Sequence, residues 1–108
     1  MEGPSLRSFP RLPLRNPVEI RVGSRTIRIE KAVGDLSVGG LFVNAEGLPL
    51  NADVHIKIAA TRPFEAEGVV RETHAGGVGI EFTAITEANR KRLDELIAAL
   101  TQKEVLAS

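Results

Sequence analysis

Asp35-Leu36-Ser37-Val38-Gly39-Gly40 is the stretch around which the rest of the chain is read. Asp and Ser side chains favour local turn hydrogen bonds, and paired glycines lift the Cβ barrier to left-handed backbone and let a ligand approach main-chain N–H groups. Taken alone, the stretch reads as a turn between apolar strands. Upstream of it, Val18, Ile20 and Val22 alternate with Glu19 and Arg21, the period-two pattern of a half-buried strand. Gly23-Ser24 then turns the chain, with glycine placed for a type II′ hairpin, and Ile27 and Ile29 alternate with Arg28 and Glu30 on the return.

Downstream, Leu41-Phe42-Val43 is a short buried strand, followed by a polar, proline-containing connection from Asn44 to Asp53. Val54, Ile56 and Ile58 alternate with His55 and Lys57. Phe64 to Thr73 forms a longer extended segment in which Gly68 marks a bulge or a close backbone crossing. Gly76-Gly77 leads into Val78-Gly79-Ile80-Glu81-Phe82, with Val78, Ile80 and Phe82 on one face. The period then changes. From Thr86, a suitable N-cap, Leu93, Leu96, Ile97 and Leu100 fall at helical spacing, with Glu87 and Lys91 on the wet side. Several short antiparallel strands followed by one helix predict a mainly β fold, a small β-barrel with a C-terminal helix over an open end of the sheet.

A chain of 108 residues builds about one domain, and 43% apolar residues is a globular figure. Residues 1–16 are rich in Arg, Pro and Ser and predict a mobile basic arm; residues 17–102 hold the barrel and helix, and 103–108 a tail. The formal charge of zero conceals asymmetry: residues 1–31 carry seven Arg/Lys against three Asp/Glu, and the remainder seven against eleven. The basic end therefore draws anions or pairs with the acidic remainder. Absent cysteine excludes disulfides and thiolate metal sites and fits a reducing compartment, so the expected location is cytoplasmic. No apolar run is long enough for a membrane span or a signal peptide. Four Phe with no Trp or Tyr argue against a stacking platform for single-stranded nucleic acid.

Candidate chemistry concentrates at two places. Arg7-Ser8-Phe9-Pro10-Arg11 sets two guanidiniums, planar forks of donors, ahead of the first strand, where they suit phosphate or a guanine edge. Asp35 and Ser37 offer acceptors beside the glycine pair. No metal is expected, because His55, on the outer face of its strand, and His74, at a turn, lack a nearby ligand cluster. Nothing supports catalysis: Ser37 has Asp35 two residues away but no evident base.

With these elements placed, the chain resembles a PilZ domain from about Leu6 to Leu100. Arg7 to Arg11 matches that family's R-x-x-x-R, Asp35 to Gly40 matches its D-x-S-x-x-G, and the strand Gly77 to Phe82 precedes a C-terminal helix as it does there. The resemblance implies a six-stranded antiparallel Greek-key-like β-barrel that binds cyclic di-GMP, a bacterial second messenger, and binding rather than catalysis. It implies that Arg7 and Arg11 grip phosphates and guanine edges, that Asp35, Ser37 and Gly40 hold the ligand from the barrel surface, and that Leu6, Arg15 and Gly39 flank the site. Arg11-Leu12-Pro13-Leu14-Arg15 satisfies the first motif in a frame shifted by four; the Arg7/Arg11 frame is favoured by its Phe-Pro-Arg sequence and its distance from Val18. An apolar Leu6, where many members carry a further arginine, favours one ligand molecule over a stacked pair. Two functions follow. In one the arm orders over the nucleotide and signals to a protein partner; in the other an adaptor works by protein contact alone, in motility or envelope control, without the nucleotide. No nucleic-acid or membrane partner is implied.

Overall fold

The computed structural model describes residues 10–107, which form eight strands and one helix. The strands are β1 (Leu12–Leu14), β2 (Val18–Val22), β3 (Arg25–Ile29), β4 (Gly34–Ser37), β5 (Gly40–Val43), β6 (Asp53–Ile58), β7 (Phe64–His74) and β8 (Gly77–Ala84), followed by α1 (Glu87–Ala107). All pairings are antiparallel, in one sheet of order β1-β4-β5-β8-β7-β6-β2-β3. The expected class is therefore present, with two strands more than the period-two pattern shows. β1 arises within the expected arm, and β4 within the expected turn.

The sheet is curled without closing. Leu14 and Val18 are four residues apart, at most about 14 Å of chain, yet their strands stand six places apart in the sheet order, about 29 Å across a flat sheet. Only strong coiling brings the two ends that close. No ladder joins β1 to β3 in the strand order, so both remain edges, and the proline in β1, Pro13, sits where a missing N–H costs no interior pairing.

The inner face carries the core. Leu14, Val18, Ile20, Leu36, Leu41, Val43, Ile56, Ile58, Phe64, Val70 and Ile80 are all buried, and Leu93, Leu96 and Leu100 of α1 join them as their spacing predicts. Asn89 donates its backbone N–H to Thr86 Oγ1 at 3.2 Å, the expected N-cap. The helix packs on β1 and β7 and is tied to the β6–β7 connection by the Arg62–Glu95 ion pair and by Arg92 donating to the Pro63 carbonyl at 3.2 Å. Gly23 has φ +58, as the first central residue of a type II′ turn requires. At Gly68 the β7–β8 register shifts, and a Cβ there would stand 2.8 Å from the Glu81 carbonyl oxygen, so the two alternatives expected at this glycine, a bulge and a close backbone crossing, coincide.

On the outer face, register builds cross-strand rows of opposite charge. Glu19 stands opposite Lys57, which stands opposite Glu65; Arg21 stands opposite His55, which stands opposite Glu67. His55 contacts carboxylates through both ring nitrogens, Nε2 to Glu65 Oε1 at 2.8 Å and Nδ1 to Glu67. Both contacts are hydrogen bonds only when the ring carries two protons. These bonds, Glu67 first and Glu65 second, raise the His55 pKa above its ordinary value of 6.5, against a lowering by burial and by Arg21. The bond to His55 lowers the pKa of Glu65.

The signs define a window. A raised histidine pKa gives stability that is complete below the unfolded value of 6.5 and lost as pH rises through the folded value. A lowered carboxylate pKa gives stability present above 4.5 and lost as pH falls through the folded value. His55→Gln should therefore cost about 1 kcal/mol in mildly acidic solution and close to nothing in basic solution, read from urea midpoints across the pH range. An equal cost at both ends would contradict the charged-ring assignment.

Candidate functional site

The two strands that alternation does not reveal position the site. β4 is a strand because β1 and β5 flank it on both sides, although Gly34-Asp35-Leu36-Ser37 has one large apolar residue in four. Its Leu36 is fully buried, which turns the neighbouring Asp35 to the outer face. Arg11 lies immediately before β1, and its Nη1 donates to Asp35 Oδ1 at 2.7 Å. This ion pair, partly exposed on both sides, joins the two sequence motifs across 24 positions.

Ser37 has a different place. It is buried, its Oγ donates to the Gly40 carbonyl at 3.3 Å and accepts the Gly39 N–H at 3.2 Å. These bonds close the two-residue loop Val38-Gly39, with Ser37 opposite Gly40. Gly40 itself is extended, the first residue of β5, opposite Glu81. The D-x-S-x-x-G segment is thus half strand and half hairpin loop, where the sequence alone reads a turn throughout.

The hairpin then dictates what lies beside Asp35. With Ser37 opposite Gly40, Asp35 is opposite Phe42; Phe42 is opposite Gly79, and Gly79 opposite Glu72. Side chains directly across a ladder share a face, so Asp35, Phe42, Gly79 and Glu72 form one row over four adjacent strands, about 14 Å wide. An open groove of about 540 Å³ follows this row, lined by Arg11, Asp35, Phe42, Glu72, His74 and Gly79. Gly79 contributes no side chain, which leaves the floor low between Phe42 and Glu72. The Phe42 and His74 rings contact at 5.7 Å between centroids, tilted by 53°, and His74 Nε2 lies 3.1 Å from Glu72 Oε1.

Of the residues expected at the site, Arg11 and Asp35 meet at this groove, while Ser37, Gly39 and Gly40 build the hairpin that holds Asp35 in register. Arg15 is exposed just past the other end of β1, about 13 Å of extended chain from Arg11. Arg7 and Leu6 lie outside the described residues. Arg11 is common to both frames of the first motif and is anchored on Asp35 at the foot of β1, rather than carried on a free arm. No local sequence signal assigns Phe42, Glu72, His74 and Gly79 to a site, and only the register brings them together. Among the described residues no group of His, Asp and Glu is arranged to hold a metal ion, and no helix is long and apolar enough to cross a membrane.

An antiparallel sheet with a C-terminal helix, and an arginine seated on the aspartate of a D-x-S-x-x-G hairpin, define a β domain with an open surface groove. The PilZ domain family model matches residues 5–99, and the chain belongs to that family, whose domains generally bind cyclic di-GMP. No individual curated protein matches the chain.

Proposed function

We propose that this chain is a cyclic di-GMP receptor domain of the bacterial cytoplasm that binds its ligand without chemical conversion. Arg7 and Arg11 supply the cationic closing side, and Asp35, with the hairpin of Ser37, Gly39 and Gly40, supplies the preformed side. The single observation that supports this reading is the Arg11–Asp35 pair, one residue from each motif, lining one open groove. The ligand presents two phosphodiester charges and two guanines. Arg11 offers a planar fork to phosphate or the guanine Hoogsteen edge, Asp35 accepts from the guanine N1–H and exocyclic amine, and Phe42 offers an apolar ring to a base. Ordering of the segment before β1 over the bound nucleotide would then present a new surface to a protein partner.

A second reading has its own support. Arg11 and Asp35 satisfy each other within the chain, so the fold holds both groups paired on its own. A PilZ-fold adaptor acting by protein contact alone, in motility or envelope control, needs no more than that.

Calorimetric titration with cyclic di-GMP separates the two. Saturable binding near one ligand per chain supports the receptor, with Leu6 favouring the single ligand. Absence of binding by folded protein, together with capture of the same partner with or without nucleotide, would overturn it in favour of the adaptor.

A further inference from the structure

Of the phenylalanines in the described residues, Phe64 is fully buried and Phe82 packs against it edge-on at 5.3 Å between centroids, so both serve the core. Phe42 differs. It is half-buried, lies outside the core cluster and lines the groove. With no Trp or Tyr in the chain, it is the phenyl ring that this groove offers to a ligand.

The first part of β8 holds that ring in place by being bare. Val78 and Ile80 are buried in the core, so Gly77 and Gly79 both fall on the opposite face. Phe42 stands directly opposite Gly79, yet its Cε1 lies 3.1 Å from where a Cβ of Gly77 would be, two residues along the strand. The ring therefore leans along β8, over main chain, and ends against His74, the ladder partner of Gly77, at 5.7 Å between centroids. Backbone packing accounts for one of the two glycines, because a Cβ at Gly77 would collide with the Val43 carbonyl oxygen. Gly79 has no positive φ to account for it. A glycine inside a strand weakens it and marks a place of close approach, and what crosses there is the Phe42 ring.

A ring that leans over the backbone turns one face to the strand and the other to the groove, and base–aromatic stacking needs such an open face held in one orientation. Resting on the receptor reading above, we infer that Phe42 is the stacking platform for one guanine of cyclic di-GMP, and that Gly79 is a positioning residue that lets its ring lie down. Asp35 is the ladder neighbour of Phe42 and carries Arg11, so the platform stands beside an acceptor and a planar fork of donors suited to the edges of the stacked base.

Because the chain has no Trp or Tyr, Phe42→Trp places its one indole in the groove, and Leu50→Trp, exposed on the β5–β6 connection and outside the groove lining, is the control. Titrated with cyclic di-GMP, the whole Phe42→Trp chain should lose emission saturably, with the midpoint that calorimetry gives for the same variant, while Leu50→Trp keeps its emission. Phe42→Leu, still apolar but without a π face, should bind about tenfold more weakly at a nearly unchanged melting temperature, the loss expected for one base–aromatic stack. Gly79→Ala should bind about threefold more weakly, and Gly79→Ala combined with Phe42→Leu no more weakly than Phe42→Leu alone, because the glycine acts through the ring. A packing role alone would move stability and leave emission and affinity where they are. Parent-level affinity in Phe42→Leu, or emission from ligand-bound Phe42→Trp as steady as that of Leu50→Trp, overturns the platform and leaves the receptor reading standing. Additive losses overturn the part given to Gly79. No binding by the folded parent overturns both readings.

Discussion

Cyclic di-GMP should bind Arg11→Ala about thirtyfold more weakly than the parent chain, a loss of about 2 kcal/mol, within the range for hydrogen bonds to charged groups. The expectation follows from the position of Arg11 in both frames of the first motif and from its seat on Asp35 at the groove. The loss should be in affinity and not in folding. Arg11 and Asp35 are both partly exposed, and pairs of that kind contribute at most about 1 kcal/mol to stability. Melting temperature should therefore move by only a few degrees while affinity falls. Arg11→Lys should recover part of the loss, because an ammonium keeps the charge but not the planar fork. Full affinity in Arg11→Ala would place the ligand elsewhere.

Gly34→Val should damage the fold and the site together. A Cβ at Gly34 would stand 1.8 Å from the Phe42 carbonyl oxygen and 2.8 Å from its carbon, both backbone atoms that no rotamer change can move. Gly34 opens β4 and pairs with Leu14 on one side and Val43 on the other, so relieving the clash means parting β4 from β5. That separates Asp35 from Phe42, two neighbours in the groove. A loss on the order of 3 kcal/mol is expected, read as a lower urea midpoint at unchanged slope. Gly23→Ala is a useful contrast, because nothing lies within 4 Å of a Cβ there and only its φ of +58 opposes the change; its cost should be about 1 kcal/mol. Equal costs at the two positions would contradict the close approach of β4 and β5.

Much of the fold is legible in the order of residues alone. β2, β3, β6, β7 and β8 announce themselves by alternation, and α1 by the Thr86 cap and the Leu93, Leu96, Leu100 spacing. β1 and β4 do not. β1 has three residues with Pro13 at its centre, acceptable because β1 is an edge, and β4 consists mostly of residues that form turns elsewhere. Each is extended because of what it pairs with, which local preference does not encode. Those two strands carry or adjoin Arg11 and Asp35, so the motifs are legible as residue types while their shared location is not.

The far wall is hidden for a related reason. With Val38-Gly39 as a two-residue loop, Phe42 must face Asp35, but Gly79 and Glu72 follow only from the β5–β8 and β7–β8 registers, and the latter shifts at Gly68 and again before Glu72. A bulge moves every later pairing by one residue, and the pattern of apolar residues alone does not locate it.

The central claim is that this PilZ chain takes cyclic di-GMP in the groove between Arg11 and His74. Amide-resolved NMR during a titration with the nucleotide tests it most directly. The account predicts saturable shifts concentrated at Arg11, Asp35, Phe42, Glu72, His74 and Gly79, with Lys57, Glu65 and Glu67, in the charge rows across β2, β6 and β7, nearly unmoved. Shifts confined to those β2–β6–β7 rows, or none from a folded chain, would contradict it.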